Sequence, residues 1–292
     1  MKTFKIGGVH PHDSKISKDC AIEDFPVLEK AYLSMAQHLG APAEPIVQKG
    51  DKVKVGQLIA KPTGFVSANI HSSVSGTVAA VEPYADLAGN PVMHVIIDVE
   101  GDEWEESIDR TPDVVRDITL SKEEIIKRIQ DCGIVGLGGA SFPTHIKLTP
   151  PPGKVAEYLL INGAECEPFL TSDYRLMIEQ PEQVLIGAKI MMKALDVKKC
   201  RFGVEENKPE AIAKLKSFSA QYPEIEIVPL KKKYPQGGEK QLIEALTGRR
   251  VPSMGLPIDA GAVVQNCGTA LAVYEAVQKN KPLRSEEHTS EL

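Results

Sequence analysis

Hydrophobic and polar residues alternate in short stretches near the beginning of the chain. Stretches such as PIVQKGDKVKVGQLIAK and HSSVSGTVAAVEPY are interrupted every few positions by Gly, Pro or Asn. Alternation over a few residues predicts half-buried strands, and short strands with frequent turns are typical of a small barrel or sandwich. The pattern therefore predicts an all-β domain in this part of the chain.

From Leu120 onwards the pattern changes. The segment SKEEIIKRIQDCG has apolar residues at helical spacing, and Ser121 with Glu124 forms a capping-box signature. Strand-like and helix-like segments then alternate in the order AEYLLIN, PEQVLIGAKIMMKAL, CRFGVEE, KPEAIAKLKSFSAQ, EIEIVPL, GGEKQLIEALTG, AVVQ and GTALAVYEAVQK. This alternation predicts βαβ units and a mainly parallel sheet, that is, a Rossmann-like three-layer α/β/α domain.

We predict two domains, one covering residues 1–108 and the other residues 109–283. The acidic, proline-containing stretch EGDEWEESIDRTPDVVRD fits a linker where they join. The last nine residues, RSEEHTSEL, break from the preceding helical pattern and resemble the translation of a sequencing adapter. We therefore expect residues 284–292 to be an artefactual tail, and the natural chain to continue beyond Leu283.

Composition narrows the classes of function. The chain has 292 residues and a formal net charge of −6, without a concentrated Lys/Arg stripe, which argues against nucleic-acid binding. No apolar run reaches the roughly 18 residues of a membrane-spanning helix, and the N-terminus has no apolar signal region. The five cysteines are dispersed and form no C-x-x-C pair, so we expect reduced cytosolic thiols and no metal site.

The first candidate site is the loop GLGGASFPT. It contains Gly136, Gly138 and Gly139, with Ser141 at the place of a third spaced glycine, so it matches neither the Walker loop nor G-x-G-x-x-G. Glycines allow backbone N–H groups to approach an anion, and Lys147 adds a positive charge nearby. The loop alone is compatible with either a phosphate site or a tight turn.

A second loop, INGAECEPFLTSDYR, follows an apolar strand. It contains the polar residues Asn162, Glu165, Glu167 and Asp173. In a parallel sheet, ligands bind at the carboxyl ends of the strands, so these amide and carboxylate groups are placed to bind an isoalloxazine edge or a ribose hydroxyl. A solvated acidic loop is the alternative.

Two further loops have the same character. KKKYPQGGEKQ contains Tyr234, Gly237 and Glu239 and leads into a helix, whose N-terminal N–H groups suit a phosphate or carboxylate. VVQNCGT places Gln265 and Asn266 between a strand and a helix. Their side-chain amides suit recognition of a ligand, although capping of the next helix explains Asn266 almost as well.

Several of these motifs resemble known families. KGDKVKVGQLIA followed by SSVSGTVAAV resembles the half-motifs of biotinyl and lipoyl carrier domains, which fold as a barrel-sandwich hybrid. GLGGASFPTHIKL, ECEP, YPQGGEKQLIEALTGRR and VQN resemble, in this order, loops of the flavin- and NADH-binding subunit of respiratory complex I. Together with the N-terminal GGVHPHDSK, they make the chain up to Leu283 similar to the RnfC component of the Rnf electron transport complex, an ion-translocating ferredoxin:NAD oxidoreductase.

The resemblance implies binding sites for FMN and NAD(H) and no general acid or base. It assigns the FMN phosphate to Gly136, Gly138, Gly139 and Lys147, and contacts with the flavin to Asn162, Glu165, Gln265 and Asn266. It assigns the nicotinamide dinucleotide to Phe142, Glu167 and Glu239, and cofactor binding also to Tyr234 and Gly237. One departure is that Gly238 precedes Glu239 where the complex I loop has paired acids.

The resemblance also implies a function. The intact protein would be the NAD(H) entry of an ion-translocating membrane complex, in which electrons pass through FMN to two [4Fe-4S] clusters and towards ferredoxin. The family's C-x-x-C-x-x-C-x-x-x-C-P cluster motifs are absent here, so this fragment alone would retain at most the NADH:FMN half-reaction. We expect a peripheral position on the cytoplasmic face of the cell membrane, held by the other membrane subunits of the Rnf complex.

Two alternatives remain open on the sequence. The first is a flavin-less docking scaffold, as in the related sodium-pumping NADH:quinone reductase, against which the glycine and E-x-E-P loops count. The second is an acylated carrier domain, against which the absence of Lys from TGFVSANIH counts, since carriers modify a hairpin Lys.

Overall fold

The computed structural model describes residues 1–26, 29–86 and 89–284, which form two compact units. The α/β unit consists of Met1–Glu23, Arg116–Glu123 and Leu148–Tyr274; the β unit consists of Asp24–Val115, Glu124–Lys147 and the segment from Glu275 onwards. Residues 1–23, which the sequence-based boundaries place in the first domain, thus lie in the α/β unit. Residues 285–292 of the expected artefactual tail lie outside the described residues.

The β unit contains two antiparallel sheets. Its strands are β1 Lys30–Ser34, β2 Glu44–Pro45, β3 Lys52–Val53, β4 Leu58–Lys61, β5 Ile70–His71, β6 Gly76–Ala85 and β7 Pro91–Val99. One sheet has the order β1-β7-β6-β3 and the other β2-β4-β5. Alternate side chains point inwards, and Met35, Ile59, Val95 and Ile97 are fully buried in a common core. The predicted small β domain is confirmed.

The α/β unit is built on a four-stranded sheet in which all neighbouring strands are parallel. Its strands are β8 Tyr158–Gly163, β9 Cys200–Glu205, β10 Ile225–Leu230 and β11 Ala262–Asn266, in the spatial order β10-β9-β8-β11. The helices within the described residues are α1 Lys122–Asp131, α2 Thr144–Lys147, α3 Ser172–Glu179, α4 Pro181–Leu195, α5 Pro209–Ser219, α6 Glu239–Thr247 and α7 Cys267–Lys279, with a 3-10 turn at Pro257–Ala260. The strand order is that of a Rossmann-like sheet.

Helices cover both faces of this sheet. Leu242 and Leu246 of α6 pack with Leu160 of β8 and Val264 of β11 on one face. Because successive side chains of a strand point to opposite faces, the neighbours of Leu160 face the other side, where α3, α4 and α5 pack together. The predicted three-layer α/β/α architecture is confirmed.

Helices α4 and α7 approach each other closely. A Cβ at Gly187 of α4 would lie 1.8 Å from the carbonyl oxygen of Ala270 in α7, so only a residue without a side chain fits there. Helix α4 has the predicted bounds: Pro181 is at its start, and Asp196 ends it in the left-handed conformation. None of the helices within the described ranges has the length and apolar character needed to cross a membrane.

Helix α3 is an element that the sequence analysis missed. It lies partly within INGAECEPFLTSDYR, which the sequence pattern predicts to be a loop. The helix has only eight residues, too few for a hydrophobic period to be read with ease. It buries Tyr174 and Met177 and also Asp173, in its first turn.

Candidate functional site

The chain order reverses between two neighbouring strands of the parallel sheet. From β8 the chain continues to β9 and β10 on one side, whereas β11 lies on the other side of β8. In open α/β sheets, ligands bind at the carboxyl ends of the strands at such a reversal. Asn162 near the end of β8 and Asn266 at the end of β11 are direct partners in the strand register. Two predicted site residues therefore lie side by side at the expected position.

Buried carboxylates lie next to this pair. The side-chain amide of Asn266 donates to Asp173 Oδ2 at 2.7 Å, and the backbone N–H of Asp173 donates to Glu165 Oε1 at 2.9 Å. Asn266 Oδ1 also accepts the backbone N–H of Gly268 at 2.6 Å, in the first turn of α7. The helix-capping alternative for Asn266 is therefore borne out, and it coexists with the position of Asn266 at the sheet edge.

Burial controls the charge of these carboxyl groups. The pKa of Glu165 is raised to about 8, first by burial and then by the negative charge of Asp173. Lys208 and Lys15 oppose this shift; each ammonium nitrogen is 3.9 Å from Glu165 Oε2. Burial also raises the pKa of Asp173. Glu165 can thus carry a proton near neutral pH.

The two lysines are site residues that the sequence analysis missed. Lys208 is 3% exposed, donates to the carbonyl oxygen of Ala164 at 2.6 Å and lies 3.8 Å from the Glu205 carboxylate. Lys15 comes from the segment GGVHPHDSK, which served in the sequence only as a family marker. The pairing of a residue at position 15 with one at position 165 depends on the tertiary fold, so no local pattern could indicate it.

A third loop reaches the same edge of the sheet. Asn162 Nδ2 donates to the carbonyl oxygen of Gly237 at 3.1 Å, and the N–H of Gly237 lies 3.4 Å from Cys166 Sγ. A Cβ at Gly237 would lie 3.2 Å from Asn162 Nδ2, closer than ordinary contacts. The structure thus brings together Asn162, Glu165, Gly237 and Asn266 of the predicted site.

The remaining predicted residues of the α/β unit lie on the same loops or strands. Glu167 is exposed in the loop after β8, and Tyr234 is 37% exposed in the loop after β10. Glu239 is half-buried at the start of α6, and Gln265 is buried in β11. All four therefore belong to the elements that form the carboxyl edge of the sheet.

Three buried polar atoms of the α/β unit lack a hydrogen-bond partner among the described residues. They are Glu165 Oε2, Gln236 Nε2 and Gln265 Nε2. Buried polar atoms are normally paired, and each unpaired one costs about 1–3 kcal/mol. The carboxyl oxygen, which can accept or donate, and the two amide donors therefore have unused hydrogen-bonding capacity.

The glycine loop lies in the β unit. The N–H of Gly136 donates to the carbonyl oxygen of Phe142 at 2.9 Å, and Val135 bridges Pro143, so residues 136–142 form a closed loop. Gly138 has a φ of +74°, which favours glycine. A Cβ at Gly139 would meet no heavy atom within 4 Å, so the protein fold does not require glycine there. Lys147 ends α2 directly after this loop.

Comparisons with known proteins agree with this architecture. Residues 129–275 match the Nuo51 FMN-binding domain family, and residues 2–102 match the RnfC barrel sandwich hybrid domain family. Within the described ranges, no group of three or more His, Cys, Asp or Glu residues could hold a metal ion.

Curated relatives are similar over nearly the whole chain. The C component of the proton-translocating ferredoxin:NAD(+) oxidoreductase complex of Clostridium ljungdahlii is 48% identical over 97% of this chain and 61% of its own length. The Na(+)-translocating counterpart of Acetobacterium woodii is 45% identical over 96% of this chain and 63% of its own length. The chain thus spans about three fifths of the length of these relatives. Among solved structures, an NAD+-reducing [NiFe]-hydrogenase in the air-oxidized state matches with a TM-score of 0.46 and 26% identity, over 54% of this chain and 30% of that chain.

Proposed function

We propose that the chain, which belongs to the Nuo51 FMN-binding domain family, binds FMN and transfers electrons between this flavin and NAD(H). Its RnfC barrel sandwich hybrid domain also makes the chain similar to the RnfC components of Rnf complexes. The observation that carries the proposal is the polar cluster at the reversal of strand order. There, Asn162 and Asn266 are register partners, and Glu165 lies beside them with its Oε2 atom lacking a hydrogen-bond partner among the described residues.

The residues present fit a flavin. An isoalloxazine ring offers carbonyl oxygens and ring nitrogens along one edge, which require both donors and acceptors from the protein. The Nε2 atoms of Gln236 and Gln265, which lack hydrogen-bond partners among the described residues, are donors, and the Glu165 carboxyl can donate or accept, depending on its proton. FMN, when bound, supplies hydride and single-electron chemistry, while the protein supplies binding, orientation and electrostatics.

The individual roles carried by the proposal are those that the resemblance implies. Asn162, Glu165, Gln265 and Asn266 contact the flavin ring. The backbone of the glycine loop and Lys147 hold the phosphate. Phe142, Glu167 and Glu239 bind on the nicotinamide side, and Tyr234 and Gly237 also take part in cofactor binding. A stacking role for Phe142 fits the preference of aromatic rings for planar partners.

The wider function extends from the relatives to this chain. We propose an electron-transfer component of an ion-translocating ferredoxin:NAD oxidoreductase, held at the cytoplasmic face of the membrane by other subunits. The two relatives named above are components of such complexes. The chain would thus hold FMN at the point where electrons pass between NAD(H) and ferredoxin.

Flavin titration of the 292-residue chain tests the proposal. We expect one FMN to bind per chain, with quenching of its fluorescence, and the flavin absorbance to bleach when NADH is added. Asn162→Ala should weaken binding, because it removes an amide at the sheet edge, whereas Glu226→Gln on the exposed end of an ion pair with Arg201 should leave it unchanged. A chain that is folded by circular dichroism but does not retain FMN would contradict the proposal.

A further inference from the structure

The first 23 residues, here called the N-terminal arm, run along the carboxyl edge of the parallel sheet. At the start of the arm, Lys2 forms a parallel bridge with Leu230, the last residue of β10. The arm then contacts the loops that follow three of the strands: Val9 pairs with Tyr234, Asp13 with Asn207 and Lys232, and Ser17 with Thr171. The arm thus contacts the loops after β10, β9 and β8, and the loops after β8 and β10 carry Glu165, Glu167, Tyr234 and Gly237 of the candidate site.

Lys15 is the centre of the contact with the loop after β8. Its ammonium group donates to the carbonyl oxygens of Glu165 at 3.0 Å, Glu167 at 2.8 Å and Leu170 at 2.5 Å. A lysine ammonium has three N–H donors, so these three acceptors use all of them. The Lys15 side chain is only 12% exposed, which makes these bonds largely shielded from water.

The loop after β8 needs external support because two of its residues adopt strained conformations. Glu165 has a φ of +50° and Phe169 a φ of +70°, and neither is glycine. Such residues persist where surrounding contacts determine the backbone. The N-terminal arm provides those contacts, since the N–H of Phe169 also donates to the carbonyl oxygen of Asp13 at 2.9 Å.

We propose that Lys15 is a positioning residue, which fixes the turn after β8 and holds the Glu165 side chain in place for flavin binding. This inference rests on the proposed function only for the identity of the ligand, FMN. The positioning of Glu165 is a property of the protein itself and can be measured without any ligand.

Lys15 also acts on Glu165 through its charge. The charged groups around Lys15 are the carboxylates of Glu165, Glu205 and Asp13 and the ammonium of Lys208. The positive charges of Lys208 and Lys15 lower the pKa of Glu165, whereas Asp173 raises it. Removal of the Lys15 charge should therefore raise the pKa of Glu165 further above its value of about 8.

Three variants of the full chain test the inference: Lys15→Met, Lys15→Arg and the control Lys18→Met on the exposed part of the same arm. The first measurement is the titration of the Glu165 carboxyl by NMR in flavin-free protein labelled with ¹³C-glutamate, assigned with Glu165→Gln. The second is the Kd for FMN. We expect Lys15→Met to raise the pKa of Glu165 and to weaken FMN binding about tenfold, the size expected from losing hydrogen bonds of a charged group.

Lys15→Arg separates charge from geometry. Arginine keeps the positive charge, but its planar group cannot point N–H donors at three converging carbonyls as an ammonium does. We expect this variant to keep the Glu165 titration near that of the unchanged protein and still to bind FMN more weakly. If Lys15→Met does not fold, the FMN affinity of Lys15→Arg still tests the positioning role.

The outcomes separate the two proposals. The positioning role would be overturned if both Lys15 variants left the pKa of Glu165 and the Kd for FMN unchanged. It would also be overturned if Lys18→Met changed these two quantities as much as the Lys15 variants do. If the unchanged protein binds no FMN, the proposed function fails, and the Glu165 titration then decides the positioning role alone.

Discussion

Replacement of Gly139 by alanine tests whether the glycine loop serves ligand binding or only the fold. A Cβ at this position would meet no heavy atom within 4 Å, and Gly139 is not among the glycines with positive φ. The methyl group therefore causes no clash within the protein. We expect the free energy of unfolding to change by less than about 0.5 kcal/mol, or to rise by up to about 1 kcal/mol because alanine restricts the unfolded chain.

The effect on FMN should be much larger. If the phosphate lies against the backbone N–H groups of this loop, the new methyl group occupies space that the phosphate needs. We expect the Kd for FMN to rise at least about tenfold, which corresponds to about 1.4 kcal/mol of binding free energy. Fluorescence titration with FMN and thermal denaturation of the same samples measure both quantities.

Gly138→Ala is the matched control within the loop. The φ of +74° at Gly138 strains an L-residue, so this variant should lose about 1 kcal/mol of stability. A Gly139→Ala variant with an unchanged Kd would refute the phosphate role. A Gly139→Ala variant that loses stability as Gly138→Ala does would show that the glycine is needed for the fold.

Three further predictions concern stability. Gly187→Ala should destabilise the α/β unit by about 1–3 kcal/mol, since its Cβ would lie 1.8 Å from the backbone oxygen of Ala270. Asn266→Ala removes a donor at 2.7 Å from the buried Asp173 carboxylate and should cost about 1–3 kcal/mol by urea denaturation. Burial lowers the pKa of His71 from 6.5 to about 4, so the unfolded chain binds more protons between these values, and stability should fall by about 3 kcal/mol as the pH decreases through that range.

Each of these three predictions has a control variant. Gly139→Ala is a glycine change without a clash, and Asn90→Ala is an asparagine change on an exposed turn; both should leave stability nearly unchanged. His71→Leu lacks the titrating ring, so it should flatten the pH dependence between pH 6.5 and about 4. An unaltered slope in this variant would assign the acid sensitivity to other groups.

Local sequence patterns predicted the strands and helices whose hydrophobic residues recur with a regular period between clear start and stop residues. Helix α4 has fifteen residues with a proline at its start, and its bounds agree with the sequence. Helix α3 escaped because its eight residues follow a polar loop and include Asp173, whose burial depends on a partner on β11. Burial of a charged residue is a tertiary property that a local window does not contain.

The candidate site shows the same division. The sequence indicated Asn162, Glu165 and Asn266, because these polar residues follow apolar strands and ligands bind at the carboxyl ends of the strands in a parallel sheet. It did not indicate Lys15 or Lys208, since a lysine in a polar stretch is usually a solvated residue. The contacts of Lys15 span about 150 positions in sequence, and only the fold relates residues so far apart.

The N-terminal arm has a consequence for synthesis on the ribosome. Thr3 is hydrogen-bonded to Gln236, 233 positions later in the chain. At the usual elongation rates this separation corresponds to roughly 10–50 s of translation. The arm is thus made long before its partner at position 236, and the antiparallel sheets of the β unit have time to fold in the interval.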